Sequence, residues 1–466
     1  MTVIDHFLRL LGPSGCLTGA DAMAGYVTDW RDLYRGRARC VLRPASVAEF
    51  ADVMAYCHVH GIAVVPQGGN TGLAGAAVPD GSGQQVVVST TRLRQIRSVD
   101  AVDMSIVAEA GITIAELQSA AGDAGALFPL SFAAEGSATL GGAVATNAGG
   151  TAAVRYGSAR DLLLGVEVVL ADGRVWNGLR TLHKDNAGYA LRHLFAGSEG
   201  TLGIVTAAAM RLVPRPAGRA VAFTALADEA AVGAFWALLR ARCAGAIRAA
   251  EYISGHGLAL VMHEMGLRAP VARAAHHVLV ELNAASADGL CDLLEGVLAE
   301  ALEQGIITDA AVAQNEDQCA AFWRLREDQT EAQKRAGVNY KHDIAVPISR
   351  VGELLARCRA ALAQRCPDLL VLPFGHLGDG NIHMNVVRPA ALGAAPHPEE
   401  GEVAGVVHDI VAALGGTFSA EHGIGRTKTD LLETLRPAVE LDLMRRIKAA
   451  LDPAGLMNPG KVLRQE

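Results

Sequence analysis

The sequence lacks several features that would mark a specialised class of protein. No apolar run approaches the roughly 18 residues of a membrane-spanning helix, and the opening MTVIDHFLRLLG has an early acidic residue and no small-residue cleavage site. The eight cysteines form no C-x-x-C pair, and no block of basic residues occurs. We therefore expect a soluble, cytoplasmic protein with reduced thiols, without a secretory signal, a membrane span or a nucleic-acid partner.

Length and composition indicate an ordered protein of more than one domain. The chain has 466 residues, of which 51% are hydrophobic, 19% are charged and 51 are glycine, and its formal net charge is −8. A chain of this length exceeds the size of a single hydrophobic core. Residues 1–213 alternate helical stretches with short apolar strands, and RLVPRPAGRA (211–220) is typical of a linker.

Three glycine-rich belts fall within the first half of the chain. They are PQGGNTG (66–72), SATLGGAVATNAGG (137–150) and GSEGTLGIVT (197–206). One such belt alone is more often a tight surface loop, but three of them predict a backbone that approaches a large, flat cofactor. The absence of G-x-G-x-x-G disfavours a Rossmann site. GLMNPGK (455–461) imitates a P-loop, but Val462 stands where Ser or Thr is required, so we reject it as a phosphate site.

The stretch PFGHLGDGNIHMN (373–385) predicts a β-hairpin with its turn at Asp379-Gly380. That turn would set His376 directly across from His383, with Asn385 on the same face. Either histidine alone is more often a packing residue, but the symmetry of the pair and the later SAEHG (419–423) favour a metal site. We expect His376, His383 and Glu421 to bind Zn²⁺, although this ligand set also admits Mn²⁺ or Co²⁺.

Seven segments together resemble one family of flavoproteins. They are PQGGNTGLAG, EGSATLGGAVATNAGG, RYGSARDLLLGVEVVLADG, GYALRHLFAGSEGTLGIVT, GHLGDGNIHMN, SAEHGIG and LDPAGLMNPGK. In this order they resemble the vanillyl-alcohol-oxidase-type flavoproteins, and within them the FAD-linked D-2-hydroxy acid dehydrogenases. The resemblance implies an α+β fold, with a two-subdomain FAD-binding domain (1–213) and a cap domain of antiparallel sheet and helices (214–420). It also implies a C-terminal segment (421–466) that returns to the flavin.

The resemblance also implies which residues contact FAD. The first belt would hold the pyrophosphate, the second the middle of FAD, the third a further part of it, and Asn458 the isoalloxazine. The residues carried over are Gln67, Gly68, Gly69, Asn70, Thr71, Gly72, Leu73, Pro129, Gly136, Ser137, Thr139, Gly142, Asn147, Gly149, Gly150, Glu199, Gly203, Ile204 and Asn458. Residues 66–78 contain no His, Cys or Tyr, so we expect FAD to be bound non-covalently. Ala190 stands where the family usually has Asp, so any contact that this Asp makes is absent here.

These residues predict a hydride-transfer reaction assisted by a metal ion. A 2-hydroxy acid must lose its hydroxyl proton and pass its α-hydrogen to flavin N5, and a bound cation lowers the pKa of a coordinated hydroxyl. His422 follows the ligand Glu421 and is the candidate base, since imidazole titrates near neutrality. The alternative is that His422 only hydrogen-bonds the flavin or the substrate carboxylate.

The identity of the acid rests on three residues of the second half. Arg326 and Thr330 are four apart, which predicts a shared helix face, and Lys341 begins a predicted strand. In the D-2-hydroxyglutarate dehydrogenase branch, an Arg, a Thr and a Lys at this spacing hold a second carboxylate, and Asn385 would hold the first. We therefore expect oxidation of D-2-hydroxyglutarate to 2-oxoglutarate.

Several alternative interpretations of the function stay open. They are D-malate or D-lactate as substrate, a non-catalytic flavin subunit of an electron-transfer complex, and a zinc hydrolase. The electrons would pass to an external acceptor, for which an electron-transfer flavoprotein, a quinone and a cytochrome all fit. A homodimer is one assembly that the sequence leaves open.

Overall fold

In the computed structural model, which describes residues 2–393 and 397–465, the chain divides into two compact units. The first comprises Met1–Gly150, Tyr156–Arg215 and Glu421–Glu466, and the second comprises Thr151–Arg155 and Pro216–Ala420. The sequence-based boundaries after residues 213 and 420 lie at or within two residues of these divisions. The short segment Thr151–Arg155 was not separated by the sequence analysis.

The first unit begins with a four-stranded sheet. Its order is Cys16–Leu17, Val41–Leu42, Val86–Ser89 and Val64–Gln67, with the last three strands parallel. Helix Val47–Val59 packs its buried Phe50, Val53 and Met54 against this sheet, as the apolar spacing predicts. The Ser46 hydroxyl caps the helix by accepting from the Glu49 N–H.

A five-stranded antiparallel sheet forms the second part of this unit. Its order is Ile96–Asp100, Ser105–Glu109, Ile204–Arg211, Leu163–Val169 and Val175–Gly178. Helix Ile114–Asp123 begins with a capping box between Thr113 and Glu116, and helix Leu140–Thr146 packs on the strand Ile204–Arg211. The strand Leu163–Val169 is buried along its whole length, which explains its nearly continuous apolar sequence.

Shorter elements complete the first unit. The helices are Val3–Leu11, Ala20–Met23, Ala159–Leu162, Arg192–Phe195, Thr429–Leu435 and Ala438–Leu451, with a 3₁₀ turn at Ala24–Tyr26 and a strand pair Ala126–Leu127 and Val213–Pro214. After the last helix the chain joins the edge of the first sheet, where Val64 donates its N–H to Leu456 O and accepts from the Asn458 N–H, both at 2.8 Å. These bonds place Asn458 beside the strand that enters the first glycine belt.

The second unit contains a seven-stranded antiparallel sheet. Its order is Asp309–Val312, Gly218–Leu226, His276–Ala284, Ile247–Ser254, Phe374–His376, Asn381–His383 and Asp343–Ala345. The predicted linker 211–220 is therefore partly a strand, since Gly218 already pairs with Ala284. A three-stranded sheet follows in the order Gly337–Tyr340, Val386–Pro389 and Leu370–Val371.

Helices cover both faces of the seven-stranded sheet. One face packs against helices Glu229–Cys243, Leu290–Glu303, Val351–Arg365 and Glu400–Ala413, and the other against Gly255–Met265, Glu316–Glu327 and Gln329–Ala336. The remaining turns are Ile348–Arg350, Leu377–Asp379 and Ala390–Leu392, and a short helix spans Ala153–Tyr156. None of the helices in the described part of the chain has the length and apolar character required to cross a membrane.

Candidate active site

The first glycine belt is a loop held open by two side chains. Strand Val64–Gln67 leads into it, and the Gln67 amide donates to Tyr26 O (2.9 Å) and Ala77 O (2.8 Å). Asn70 has a left-handed backbone (φ +53°), and its amide donates to Gly25 O and to Thr28 O (2.8 Å). Both amides are therefore used to shape the loop, and backbone N–H groups of the loop are suited to bind an anionic ligand.

The first and second belts pack together with no room for side chains. A Cβ on Gly69 would lie 2.0 Å from Ser137 O, and one on Gly68 would lie 2.4 Å from the Thr139 hydroxyl. The same holds for Gly150, whose Cβ would lie 2.0 Å from Ser131 O. Gly69 and Gly150, which meet backbone atoms, are therefore required by the fold itself.

Other glycines of the predicted cofactor site face open space. Among the described residues, no heavy atom lies within 4 Å of a Cβ built on Gly72, Gly136 or Gly149. Thr139 Oγ1 and Asn458 Oδ1 are buried and have no hydrogen-bond partner within the described chain. Unpaired buried acceptors beside an open glycine-lined backbone are suited to a polar, flat cofactor, so these residues fit FAD.

Backbone strain is concentrated at the predicted cofactor residues. Asn70, Asn147, Glu199 and Asn458 all have positive φ, between +45° and +53°. This conformation costs free energy for a residue with a Cβ and persists mainly at functional sites. Asn147 ends helix Leu140–Thr146, where its Oδ1 accepts from the Ser158 hydroxyl and the Arg160 N–H.

Glu199 uses its side chain to build the site. Its two carboxylate oxygens accept the N–H groups of Ile424 and Gly425, each at 2.7 Å, and its carbonyl accepts from the Asn458 amide at 2.7 Å. Burial raises the pKa of the Glu199 carboxyl, although the two N–H groups oppose this shift. Glu199 thus holds the segment that follows the SAEHG motif.

The remaining predicted cofactor residues are placed by packing. Pro129 is buried just after strand Ala126–Leu127, and Ile204 is buried at the start of strand Ile204–Arg211. A Cβ on Gly203 would lie 2.6 Å from the Val168 side chain, and one on Gly142 would lie 3.3 Å from Thr139 Oγ1. Thr71 and Ser137 lie on the two belts, and Leu73 directly follows the first belt.

The register predicted for the histidine hairpin was wrong. The strands Phe374–His376 and Asn381–His383 pair His376 with Asn381, and His383 with Phe374. The Asp-Gly pair occupies the last two positions of a four-residue loop, in which Leu377–Asp379 form a 3₁₀ turn and Gly380 is left-handed. The histidines are therefore diagonal neighbours, with ring centroids 5.7 Å apart.

A group of metal-ligating side chains forms beside this hairpin. Asp343, His383, Glu421 and His422 each offer one ligand atom within 4.8 Å of the others. His383 Nδ1 lies 4.0 Å from Asp343 Oδ1, and His422 Nε2 lies 3.4 Å from Glu421 Oε1. Imidazole and carboxylate donors of this kind suit a divalent transition metal, so the group fits the predicted ion.

The strand Asp343–Ala345 holds the last residues of the second unit. Thr417 pairs with Ala345, and the Ala420 N–H donates to Asp343 Oδ2 at 3.2 Å. Asp343 Oδ1 also accepts from the Asn381 amide at 3.0 Å. Asp343 is a candidate ligand that the sequence analysis missed.

His376, the third predicted ligand, is bound to a different carboxylate. Its Nδ1 lies 2.8 Å from Glu251 Oε1, and it is absent from the four-residue group. Glu251 Oε2 in turn accepts from Arg326 Nε at 2.7 Å, and the Arg326 guanidinium lies 4.7 Å from the Phe374 ring centroid. Burial alone would raise the pKa of the Glu251 carboxyl, but the charges of His376 and Arg326 outweigh it and hold that pKa below its ordinary value.

The predicted substrate residues differ in exposure. Arg326 is 8% exposed, whereas Thr330 and Lys341 are exposed. Arg326 and Thr330 do not share one continuous helix as predicted, because a turn at Asp328 separates Glu316–Glu327 from Gln329–Ala336. Lys341 does not begin a strand but lies between Gly337–Tyr340 and Asp343–Ala345.

Asn385 is held in place by a neighbouring glutamine. It is buried just after strand Asn381–His383, and its amide donates to Gln333 Oε1 at 2.8 Å. The strand ends at His383, so the alternation that was expected to place Asn385 on the face of His383 does not continue to residue 385.

Comparison with protein families finds two matches along the chain. Residues 38–178 match the family described as FAD binding domain, and residues 215–462 match the family described as FAD linked oxidases, C-terminal domain. The chain belongs to the FAD-linked oxidases. These two family matches confirm the predicted dependence on FAD.

Similar FAD-linked oxidases are found in animals and bacteria. The chain is 38% identical over 459 residues to the mitochondrial D-2-hydroxyglutarate dehydrogenase of Bos taurus, covering 98% of this chain and 82% of the relative. It is 34% identical to the D-2-hydroxyglutarate dehydrogenase of Stutzerimonas stutzeri, covering 99% of this chain and 98% of the relative.

Solved structures confirm the α+β fold predicted for this FAD-linked oxidase. P-cresol methylhydroxylase with substrate bound matches with a TM-score of 0.74 at 16% identity, covering 99% of this chain and 96% of that chain. An alkyldihydroxyacetonephosphate synthase matches with a TM-score of 0.73 at 17% identity, covering 98% and 85%. At these identities the likeness concerns the fold.

Proposed function

We propose that this FAD-linked oxidase oxidises D-2-hydroxyglutarate to 2-oxoglutarate and passes the two electrons to an external acceptor. The observation that carries the proposal is the similarity, over nearly the full chain, to relatives named D-2-hydroxyglutarate dehydrogenases. The sequence also contains the side chains that are expected to bind the two carboxylates of this substrate.

FAD and the metal ion would each supply one part of the reaction. When bound, FAD accepts a hydride at N5 of its isoalloxazine ring, and a divalent cation lowers the pKa of a hydroxyl that it coordinates. In the first unit, the residues that would hold FAD are the open belt around Gly72, Gly136 and Gly149, with Thr139 and Asn458 as hydrogen-bonding partners. We propose that FAD is bound there without a covalent link.

The ion would be held by His383 and Glu421, with His376 as third ligand. His376 Nδ1 is engaged by Glu251, so Nε2 is the nitrogen that would coordinate. Asp343 is a further candidate because it belongs to the same group as His383 and Glu421. We propose Zn²⁺ as the ion.

His422 would take the proton of the substrate hydroxyl. It follows the ligand Glu421, and its Nε2 lies 3.4 Å from Glu421 Oε1. Imidazole is the side chain that most often serves as a general base. His422 also belongs to the metal-ligating group, so the competing role is coordination of the ion. Loss of the metal in a His422 variant would reveal that role.

The selection of a dicarboxylate would rest on cations of the second unit. Arg326, fixed by Glu251, and Lys341, together with Thr330, would bind the distal carboxylate, and Asn385 would bind the proximal one. A site built to pair a charged group rejects an analogue that lacks it by as much as about 10⁴-fold. D-lactate, which has one carboxylate, is therefore expected to be the poorer substrate.

The decisive experiment is anaerobic bleaching of the flavin across D- and L-2-hydroxy acids, with metal analysis of the same sample. We expect D-2-hydroxyglutarate to bleach the flavin fastest, followed by D-malate, with no bleaching by the L-enantiomers. Faster bleaching by D-lactate would overturn the substrate. Failure of every 2-hydroxy acid to bleach the flavin would point to an electron-relay subunit.

The metal site is tested by His383→Ala, with His263→Ala as control because His263 is an exposed histidine of the same unit. We expect His383→Ala to lose the ion and its turnover while it remains yellow, since the FAD residues lie in the first unit. The control should keep both. Full activity of a metal-free His383→Ala protein would contradict the role of the ion.

The cytoplasmic location stays a prediction. The sequence leaves the electron acceptor open among three classes, and a homodimer is one open assembly. The acceptor can be assigned by reoxidising the bleached flavin with an electron-transfer flavoprotein, a quinone analogue or a cytochrome in turn.

A further inference from the structure

Glu251 lies at the centre of the second unit, in strand Ile247–Ser254, and is 1% exposed. Side chains alternate along this strand, so Glu251 shares the face of Ala249 and Ile253, which pack into an apolar cluster with helix Glu316–Glu327. The neighbouring strand sets His376 directly opposite Glu251. The Glu251 carboxylate is therefore withdrawn from water beside a largely apolar cluster.

The two oxygens of Glu251 bind two different predicted site residues. Oε1 lies 2.8 Å from His376 Nδ1, and Oε2 lies 2.7 Å from Arg326 Nε. A second contact also holds Arg326, because its guanidinium carbon lies over the Phe374 ring, 4.7 Å from the ring centroid. One carboxylate therefore connects a predicted metal ligand to the cation expected to bind the substrate.

The atoms that Glu251 engages determine which atoms of its partners remain for ligands. A histidine that donates from Nδ1 presents Nε2 as its coordinating nitrogen. An arginine bound through Nε keeps the N–H groups at the end of its guanidinium for a second, fork-like contact with another carboxylate. Both consequences follow from the same two hydrogen bonds.

We propose that Glu251 is a positioning residue that fixes the coordinating nitrogen of His376 and the direction of the Arg326 fork at the same time. It links metal binding to recognition of the distal carboxylate, without touching substrate or ion itself. The inference rests on the proposed function, because it takes His376 as a ligand and Arg326 as a substrate residue.

The test is Glu251→Gln in the FAD-loaded protein. The amide keeps the size of the side chain but offers one acceptor and one donor, whereas both partners are donors, so one of the two contacts is lost. We expect the Zn²⁺ dissociation constant, measured by competition with a chromophoric chelator, to rise by about 10- to 100-fold. We expect the KM for D-2-hydroxyglutarate to rise more than that for D-lactate, which has no distal carboxylate.

The matched control is Glu281→Gln on the adjacent strand. Glu281 is equally buried and binds Arg219, Arg248 and the Trp323 indole, but none of the predicted site residues. Both variants lose a buried charge, so a general loss of stability should appear in both. A changed Zn²⁺ affinity and a changed preference between the two acids should appear only in Glu251→Gln.

A second variant, Glu251→Asp, keeps the charge but shortens the side chain, and it is used if the Gln variant does not fold. It should also weaken Zn²⁺ binding and reduce the preference for the dicarboxylate. Unchanged Zn²⁺ affinity and unchanged preference in the folded variant would overturn the inference. If the unaltered protein binds no Zn²⁺ and no 2-hydroxy acid bleaches its flavin, the proposed function fails instead.

Discussion

Two glycines of the first belt, three residues apart, are expected to respond in opposite ways to the same substitution. A Cβ at Gly69 would lie 2.0 Å from Ser137 O and 3.2 Å from Ala138 Cα, both backbone atoms. Since non-bonded carbon atoms sit about 3.5 Å from their neighbours, the two belts would have to separate by on the order of 1 Å. Gly69→Ala should therefore lower the free energy of unfolding by about 1–3 kcal/mol, as in other overpacked cores.

Gly72→Ala is the matched control for folding and the test for the cofactor. No described atom lies within 4 Å of its Cβ position, and its φ is not in the left-handed region. The apoprotein should be unchanged or more stable by about 0.4–1 kcal/mol, because the unfolded chain loses freedom. If the FAD pyrophosphate approaches this backbone, the methyl group should cost about tenfold in affinity, equivalent to roughly 1.4 kcal/mol.

Urea unfolding of the apoproteins and fluorescence titration with FAD separate the two effects. The Gly69 variant should be less stable without cofactor, and the Gly72 variant should be stable but bind FAD more weakly. A Gly69→Ala apoprotein of normal stability would refute the packing argument. A Gly72→Ala protein with normal FAD affinity would show that the cofactor does not approach the belt at this point.

Three further predictions concern the second unit and the base. His422→Ala should lower turnover while the protein retains its metal, as measured by elemental analysis; loss of the ion would identify His422 as a ligand. Lys341→Met should raise the KM for D-2-hydroxyglutarate but leave that for D-lactate nearly unchanged, and an equal effect on both acids would exclude a contact with the distal carboxylate. Burial lowers the pKa of His277 from 6.5 to about 4, so the folded state favours the neutral ring. This contribution is complete above about pH 6.5 and is lost progressively as the pH falls from 6.5 to about 4, up to about 3 kcal/mol; His277→Phe should reduce the loss of stability over this range in denaturant titrations, and an unchanged pH profile would contradict the assignment.

The hairpin shows where prediction from sequence was limited. The pattern PFGHLGDGNIHMN predicts two strands joined by a tight connection, and both strands are present, but a 3₁₀ turn makes the loop four residues long and shifts the register. Loop length decides which residues face each other, and Asp-Gly occurs in loops of several lengths. His376 and His383 still lie near one another because diagonal partners in a sheet are also neighbours.

Glu251 and Asp343 were missed for a related reason. Glu251 lies 125 residues from His376 and 75 from Arg326 along the chain, so no local spacing connects them. In the segments IRAAEYIS and KHDIAVP a single acidic residue interrupts an apolar strand, which was the available signal. Because a buried carboxylate needs hydrogen-bonding or charged partners, an acidic residue within an apolar strand indicates that such partners lie nearby.

The glycine belts, the dependence on FAD and the family could be predicted from the sequence, since they rest on short contiguous motifs whose backbone requirements are local. The folded structure was needed to show which glycines pack and which face open space, which carboxylate binds His376, and that Asp343 joins His383, Glu421 and His422. Those facts depend on strand register and on pairings between distant segments. Register is set by how loops and sheet faces pack, and one residue type in one segment does not encode it.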